Sequence, residues 1–400
     1  MKPETIIVAL SALIIASYLF NIVSRWTRIP SVFLLLGVGV AARQLFSPEA
    51  ALPEYLHYLV RLFGVGGLVM IVLEASLDLK ASRGKLRLMR GAFFSALLVL
   101  VASTTLVSAI LHFWLDCTWR MSVVYAIPLS IISSAIVIPS AEHLPETKRE
   151  FVVYESSFSD ILGILVFDFV ALNETVGVGS IFGFLGSTLA VTLGSVLASI
   201  AMLWLVGNTT TIVKFFLLLA VLFFLYSAGK LLHLPSLLLV LIFGLVLNNL
   251  DVVVRPESAR FFDRERLNDT VNQFKAFTAE LSFFIRTFFF LLFGFSVDIR
   301  SLASSHVLFL GAAIVLALLT VRYFYFRYSF RSSILPEVLL MPRGLITVLL
   351  FYSIPEQMVL IGFDPGVILF VIVATTLLMT LGLVMYKIPR SEGDQMQLDV

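Results

Sequence analysis

One long apolar stretch of the chain begins at Glu150 and carries three further carboxylates, at Glu155, Asp160 and Asp168. The stretch, residues 150–172, is long enough to cross a bilayer as a helix, which takes about 20 residues. A carboxylate at the centre of such a helix costs roughly 3 kcal/mol on insertion scales, so it normally faces a partner or a water-filled cavity. Glu155 and Asp160 point roughly 140° apart on a helix. We therefore expect one carboxylate that a partner holds and one that is free to bind a proton or a cation.

The composition defines the class of protein. Of the 400 residues, 59% are hydrophobic and 14% are charged, and the mean hydropathy is +1.01. Soluble domains do not have this composition, which is typical of a protein with many membrane spans in a lipid bilayer. The net charge of +2 gives no reason to expect a nucleic-acid partner, and the single Cys117 excludes an internal disulfide or a cysteine-based metal cluster. We expect no cofactor.

Apolar runs predict about thirteen membrane spans and therefore an all-α polytopic membrane protein. With the N-terminus outside, most of the 28 Lys and Arg residues, Arg322 among them, fall in cytoplasmic segments. The positive-inside rule then places the C-terminus in the cytoplasm, and we expect the protein in the cell (inner) membrane. Two basic residues, Arg286 and Arg343, fall inside predicted spans.

Two segments of the first half recur in the second half in the same order. Residues 29–45 share Pro, Ser, Gly and the last Leu with residues 234–250, and residues 73–79 align with residues 293–299. An offset of seven spans reverses the direction of the chain across the membrane, so we expect two inverted six-helix repeats, which are typical of secondary transporters. The predicted boundaries are 1–173 for the first repeat, 174–211 for a linking span, 212–388 for the second repeat and 389–400 for a short cytoplasmic tail.

Two spans that correspond in this repeat each contain two prolines. They are span five, residues 121–140, and span twelve, residues 334–354. Proline removes a backbone donor, and interrupted helices at matching positions of two halves indicate a transport site, although ordinary proline kinks remain the alternative. Arg343 lies within span twelve, and a buried guanidinium requires an anion. The prolines lead us to expect two discontinuous crossing helices. Because Glu155 lies at a similar depth to Arg343, we also expect an ion pair between these two residues.

One motif resembles that of a known superfamily of transporters. The pattern Glu155-x-x-x-Ser159-Asp160 resembles the Glu-x-x-x-Asn-Asp motif of the monovalent cation:proton antiporters, although Ser159 stands where the family has Asn. The resemblance implies an inverted-repeat antiporter with thirteen spans, usually a homodimer. It also implies that Na⁺ or K⁺ is exchanged for H⁺ at Asp160.

Two further segments carry the same resemblance. Arg343-Gly344 is similar to the Arg-Gly pair on a broken helix of the superfamily. Residues 288–298, preceded by the membrane-buried basic residue Arg286, look like its tenth-span signature. We expect Arg286 to compensate negative charge near Asp160.

The candidate cation ligands are oxygen-bearing side chains, which hard cations prefer. They are Asp160, Ser159, Ser133 and Ser134. The run Ser133-Ser134 is closer to the potassium-efflux branch of the superfamily than to the Thr-Asp-Pro of its sodium/proton branch, so the choice between Na⁺ and K⁺ stays open. We expect Asp160 to be protonated and cation-bound in alternation.

Two other functions stay open. A sodium-coupled organic-anion symporter would need a larger cavity with more polar contacts, and a transport-inactive membrane sensor is compatible with Ser159. For an antiporter, Ser159 cannot titrate and Arg286 does not release its proton, which leaves Asp160 as the one titrating group. We therefore expect electroneutral exchange, unless water connects Asp168 to Asp160.

Overall fold

The described part of the chain is a bundle of fourteen α-helices. The computed structural model describes residues 3–27, 31–46, 54–78, 85–173, 178–207, 214–232, 234, 236–249, 264–296, 300, 302, 304–329, 334–360 and 362–386. The helices are α1 (Pro3–Thr27), α2 (Ser31–Phe46), α3 (Glu54–Asp78), α4 (Leu86–Leu115), α5 (Trp119–Ser130), α6 (Ser134–Ser140), α7 (Glu146–Leu172), α8 (Val178–Gly207), α9 (Lys214–Leu231), α10 (Ser236–Asn248), α11 (Arg264–Ser296), α12 (Ser305–Ser329), α13 (Leu345–Tyr352) and α14 (Gly366–Met385).

These helices account for the thirteen predicted spans. Span five is divided into α5 and α6, and span twelve consists of an irregular segment, residues 334–344, followed by α13. Within the described residues, five helical segments are long and apolar enough to cross a membrane, and one of the five is α5 together with α6. The 33 residues of α11 measure about 50 Å at 1.5 Å per residue, which exceeds the hydrocarbon thickness of ~30 Å. This helix therefore extends beyond the bilayer core.

The short link between α4 and α5 illustrates how local sequence sets the packing of neighbouring helices. Asp116 ends α4 in the left-handed region, with φ 49° and ψ 43°, where an aspartate is better tolerated than most residues. Thr118 is the N-cap of α5 and accepts a hydrogen bond from the backbone N–H of Met121 at 3.4 Å. Because the link spans only a few residues, α5 turns back and packs against α4.

The helices pack in two groups with α13 between them. The first helix group consists of α1, α2, α3 and α8 to α11, in which α2 and α3 pack against α11 and α10 packs against α3, α8 and α9. The second helix group consists of α4 to α7, α12 and α14, in which α4 packs against α5, α7 and α12. Helix α13 contacts α3 on one side and α5 and α7 on the other. The two interrupted spans therefore lie where the groups meet.

Glycines allow the closest helix contacts in the first helix group. A Cβ atom on Gly39 of α2 would overlap the carbonyl oxygen of Leu291 on α11, and a Cβ on Gly294 would overlap that of Leu36. On α10, a Cβ on Gly244 would overlap the hydroxyl of Ser76 on α3. These positions require glycine because the partner backbones or side chains approach within the space that a methyl group needs.

We predict that Gly39→Ala destabilises the protein by about 1–3 kcal/mol, because the new methyl group overpacks the contact between α2 and α11. The matched control is Gly37→Ala on the same helix, where a Cβ would meet no atom within 4 Å. That variant should be unchanged, or gain roughly 0.5–1 kcal/mol from the better helix former. Thermal unfolding in detergent measures both variants, and equal melting temperatures would contradict the close contact.

Candidate functional site

The first interruption separates α5 from α6 by three residues of extended backbone, residues 131–133. Ile131 has φ −72° and ψ 134°, and Ser133 has φ −76° and ψ 111°. The break lies between the two prolines of span five and coincides with neither of them, since Pro128 lies inside α5 and Pro139 inside α6. Extended backbone at this depth leaves N–H and C=O groups without helical partners, and other parts of the protein must satisfy them.

The second interruption lies at residues 334–344 and contacts the first one directly. The backbone N–H of Ser133 donates to the carbonyl oxygen of Pro342 at 3.0 Å. A Cβ atom on Gly344 would lie 2.6 Å from the Ser133 hydroxyl and 2.8 Å from the Ile136 side chain. Glycine at this position therefore lets the two interruptions approach each other, which gives a physical reason for the Arg343-Gly344 pair.

Helix α7 presents two side chains to the first interruption. The hydroxyl of Ser159 accepts a hydrogen bond from the N–H of Ile132 at 3.0 Å, and Oδ2 of Asp160 accepts one from the N–H of Ser134 at 3.2 Å. Asp160 is 4% exposed. Its second oxygen, Oδ1, has no hydrogen-bond partner among the described residues. A buried carboxylate oxygen without a partner is energetically costly, so Oδ1 is a candidate position for a proton or a cation.

A narrow cleft reaches Asp160 from the contact between the two helix groups. Its cavity volume is about 10 Å³, close to the space that one water molecule needs. Apart from Asp160 and one serine, its lining is apolar, with residues from α3 and α10 on one side and from α7 and α13 on the other. The lining residues are Ile71, Val72, Ala75, Ser157, Asp160, Ile161, Ile164, Leu241 and Ile346.

The predicted cation ligands take different roles in the structure. Ser134 contributes a backbone N–H to Asp160, and Ser159 already accepts a hydrogen bond from Ile132. The hydroxyl of Ser133 is buried without a partner in the described part of the chain, as is Oδ1 of Asp160. Within the same residues, no group of three or more His, Cys, Asp or Glu side chains exists that would hold a resident metal ion. The oxygens available to a transported cation are thus few.

Glu155 is the carboxylate that a partner holds, but its partner is not the predicted one. Arg322 of α12 binds it with two hydrogen bonds, Nη1 to Oε1 at 3.2 Å and Nη2 to Oε2 at 3.1 Å. Ser95 of α4 donates to Oε1 at 2.6 Å. The side chains of Glu155 and Arg322 are 1% and 0% exposed. The expectation that Glu155 pairs with Arg343 is therefore wrong.

The expectation that Arg322 lies in a cytoplasmic segment is wrong, because the side chain is buried within the bundle. Helical phase would have corrected this placement. Arg322 lies four residues after Leu318, eight after Ile314 and four before Phe326, and all four side chains are buried on one face of α12. An arginine in phase with a buried stripe points into the bundle and needs an internal anion.

Arg343 is fully buried and binds backbone carbonyl groups. Its Nε donates to the carbonyl of Leu129 at 2.7 Å, its Nη2 to that of Ser130 at 3.1 Å and its Nη1 to that of Met341 at 2.6 Å. Leu129 and Ser130 end α5, where carbonyls lack helical partners and the helix dipole is negative. Arg343 therefore neutralises the negative end of an interrupted helix instead of a carboxylate.

Arg286 has a carboxylate partner on the other side of the cleft. Its Nη2 lies 3.3 Å from Oε2 of Glu74 on α3, next to the cleft-lining Ala75, and both side chains are partly exposed. Arg286 and Glu74 therefore form an ion pair within the first helix group. Compensation of the charge of Asp160 by Arg286 stays a prediction.

We predict that Glu155→Gln or Arg322→Met alone costs about 3–5 kcal/mol, because each leaves an unpaired buried charge. The double variant should cost clearly less than the sum. As a matched control, Glu155→Gln combined with Arg343→Met should be closer to additive, since Arg343 binds carbonyls. Denaturant unfolding in detergent measures each cycle. Additive losses for Glu155 and Arg322 would contradict the pair.

The chain was compared with sequence families and solved structures. The profile of the family described as "Sodium/hydrogen exchanger, transmembrane" matches residues 8–386. No curated protein matches the chain. The structure of the sodium proton antiporter MjNhaP1 from Methanocaldococcus jannaschii at pH 8 is similar, with a TM-score of 0.70 and 16% identity over 96% of this chain and 99% of that chain. An electron-microscopy map of the same antiporter gives a TM-score of 0.64 and 17% identity, covering 96% of each chain.

The structural likeness, at these identities, shows a shared fold. The family profile covers nearly the whole chain and confirms the superfamily that the motifs of spans six, ten and twelve resemble. The all-helical fold and the apolar helices confirm an integral membrane protein. This chain belongs to the transmembrane sodium/hydrogen exchanger family, whose members are transporters and not enzymes.

Proposed function

We propose that this protein exchanges Na⁺ or K⁺ for H⁺ by alternating access at Asp160, and that the exchange is electroneutral. One observation carries the proposal: a buried carboxylate that lines a narrow cleft is held through Oδ2, while Oδ1 has no partner in the described residues. Ser133 supplies a second unpartnered oxygen at the interruption. Hydrogen bonds from the N–H of Ile132 to Ser159 and from the N–H of Ser134 to Asp160 hold the interrupted backbone against α7.

Exchange follows from the cost of burying a bare charge. An ionised carboxylate in an apolar cleft is strongly unfavourable unless a proton or a cation neutralises it. The site at Asp160 can therefore change from facing one side of the membrane to facing the other while either ion is bound. It cannot do so when no ion is bound. Because the proton and the cation compete for the same carboxylate, inward movement of one is coupled to outward movement of the other. Glu155 takes no part, since Arg322 keeps it neutralised as an ion pair.

The finer architecture belongs to the same proposal. We infer two inverted repeats, 1–173 and 212–388, with 174–211 as linking span, and discontinuous helices of spans five and twelve that cross. Two contacts support the repeat: α2 packs on α11 at Gly39, and α10 packs on α3 at Gly244, as expected if α2 corresponds to α10 and α3 to α11. The superfamily resemblance supports a homodimer. The positive-inside rule supports an N-terminus outside and a C-terminus in the cytoplasm. We further propose that the protein lies in the inner membrane and has no resident cofactor.

The cleft separates this proposal from a sodium-coupled organic-anion symporter. An organic anion needs cationic or donor groups in its cavity. The cleft beside Asp160 is small and mostly apolar, and its one charged lining residue is acidic. The remaining alternative, a transport-inactive membrane sensor, differs from an antiporter only in what the site does, so transport measurements decide between them.

We predict that Asp160→Asn abolishes cation-driven proton movement while leaving the amount of folded protein unchanged. The amide cannot titrate, and it leaves no buried charge behind. Everted vesicles loaded with a pH-sensitive dye report the exchange when Na⁺ or K⁺ is added. The same substitution on the same helix, Asp168→Asn, is the control and should keep exchange. A Asp160→Asn variant with wild-type dequenching would remove Asp160 as the carrier, and a wild type that ignores both cations would indicate a sensor.

We further predict that a membrane potential changes neither the rate nor the end-point of exchange in proteoliposomes with a fixed cation gradient. One proton replaces one monovalent cation at Asp160, so no net charge crosses. The second carboxylate of α7, Asp168, is partly exposed two turns further along the helix. An end-point that moves with voltage would mean that a second charge is carried. If Asp168→Asn then restored voltage independence, Asp168 would be the second proton carrier.

A further inference from the structure

An ion pair at the beginning of α7 joins three elements of the second helix group. Nζ of Lys148 donates to Oε1 of Glu337 at 2.5 Å and to the carbonyl of Leu335 at 3.1 Å, and it lies 5.3 Å above the ring of Tyr386. Leu335 and Glu337 belong to the interrupted segment, and Tyr386 directly follows α14. Lys148 therefore attaches the start of the interrupted segment to α7.

The same part of the interrupted segment has a second attachment to α7. Nη2 of Arg322 donates to the backbone carbonyl of Glu337 at 2.6 Å, and Arg322 is bound in turn by Glu155. Lys148 and Glu155 are seven residues apart on α7 and therefore share one face of this helix. Glu337 therefore has two contacts of this kind. Its carboxylate binds the partly exposed Lys148, and its backbone carbonyl binds the buried Arg322.

The far end of the interrupted segment reaches the transport site. Only six positions after Glu337, Arg343 binds the last carbonyls of α5, and Pro342 accepts the N–H of Ser133. The next N–H group, that of Ser134, is the donor to Asp160. A continuous series of contacts thus leads from Lys148 to the group that orients Asp160.

We propose that Lys148 and Glu337 are positioning residues for ion exchange: their pair sets where the interrupted segment lies along α7, and so the geometry of the oxygens and the donor around Asp160. The inference rests on the proposed exchange at Asp160. The two side chains are 24% and 12% exposed, so losing one partner costs more stability than at a surface pair and less than at the fully buried pair of Glu155 and Arg322. A shifted segment would also change how well the site binds its cation, because Ser133 and Ser134 move with it.

The test measures exchange in proteoliposomes as a function of Na⁺ and K⁺ concentration, together with thermal unfolding in detergent. Lys148→Met and Glu337→Gln should each raise the apparent KM for the cation about five-fold or more, with a smaller loss of melting temperature than Glu155→Gln causes. Lys148→Arg and the charge-exchanged double variant Lys148→Glu with Glu337→Lys should return the apparent KM to within about two-fold of the wild type.

The matched control is the other ion pair at the beginning of α7, between Lys85 and Glu150. It lies at the same end of the helix and is more exposed, and its two residues belong to α7 and to the start of α4 rather than to the interrupted segment. Lys85→Met should therefore keep the apparent KM within about two-fold of the wild type. An equal effect of Lys85→Met would show that any charge at this end of α7 matters, and the proposal would be wrong.

Two further outcomes would overturn the proposal. An unchanged apparent KM in Lys148→Met and Glu337→Gln, with Asp160→Asn inactive, leaves exchange at Asp160 in place and removes the positioning role. The maximal rate could instead fall in proportion to the amount of folded protein, with no recovery in Lys148→Arg. That result would show that the pair contributes to stability alone. An active Asp160→Asn variant would instead refute the proposed function itself, whatever the Lys148 variants do.

Discussion

Two interrupted helices must satisfy their backbone polar groups away from water, and the rest of the structure depends on this constraint. Hydrocarbon offers no hydrogen-bond partners, so irregular backbone at membrane depth persists only where the protein binds it. Arg343 binds the carbonyls that end α5, while Ser159 and Asp160 bind the N–H groups of Ile132 and Ser134. Asp160, the carboxylate proposed to exchange ions, is therefore also a structural partner of the broken backbone. Its Oδ2 binds the backbone, while its Oδ1 has no partner among the described residues.

Helix α7 serves both interruptions through different faces. Lys148 and Glu155 share a face that holds the segment 334–344, directly or through Arg322. Asp160 points roughly 140° away from Glu155 and meets the interruption between α5 and α6. Of the carboxylates in the middle of this helix, one is neutralised by a guanidinium and one retains an unpartnered oxygen. One carboxylate of α7 thus fixes the helix in the bundle, and the other belongs to the proposed exchange site.

The contact between the two helix groups differs in character from the contacts inside them. Ion pairs hold helices within each group, such as Arg286 with Glu74 in the first and Arg322 with Glu155 in the second. The cleft between the groups is lined mainly by aliphatic side chains of α3, α7 and α13. Apolar contacts are not directional, so helices can shift along such a surface without leaving hydrogen bonds unmade. A division of this kind suits a site that must face each side of the membrane in turn.

Much of the site could be predicted from the sequence because its signals are local. Asp160 and Glu155 were recognisable from carboxylates in an apolar run, and the interruptions of spans five and twelve from prolines near small polar residues. The predicted positions of the breaks were less accurate. The helix of span five ends after Ser130, between its prolines, because Ser159 and Asp160 of another helix bind the extended backbone there.

The sequence by itself determined the class of this protein, its span count and the residue on which exchange is proposed to turn. Hydropathy, proline and the cost of an isolated charge all act within a single helix. Only the tertiary structure decided which buried charges meet: Glu155 with Arg322, Arg343 with backbone carbonyls, Arg286 with Glu74. Partners on different helices depend on how each helix is rotated and packed. Backbone carbonyl partners cannot be predicted from residue types, because every residue carries the same carbonyl group.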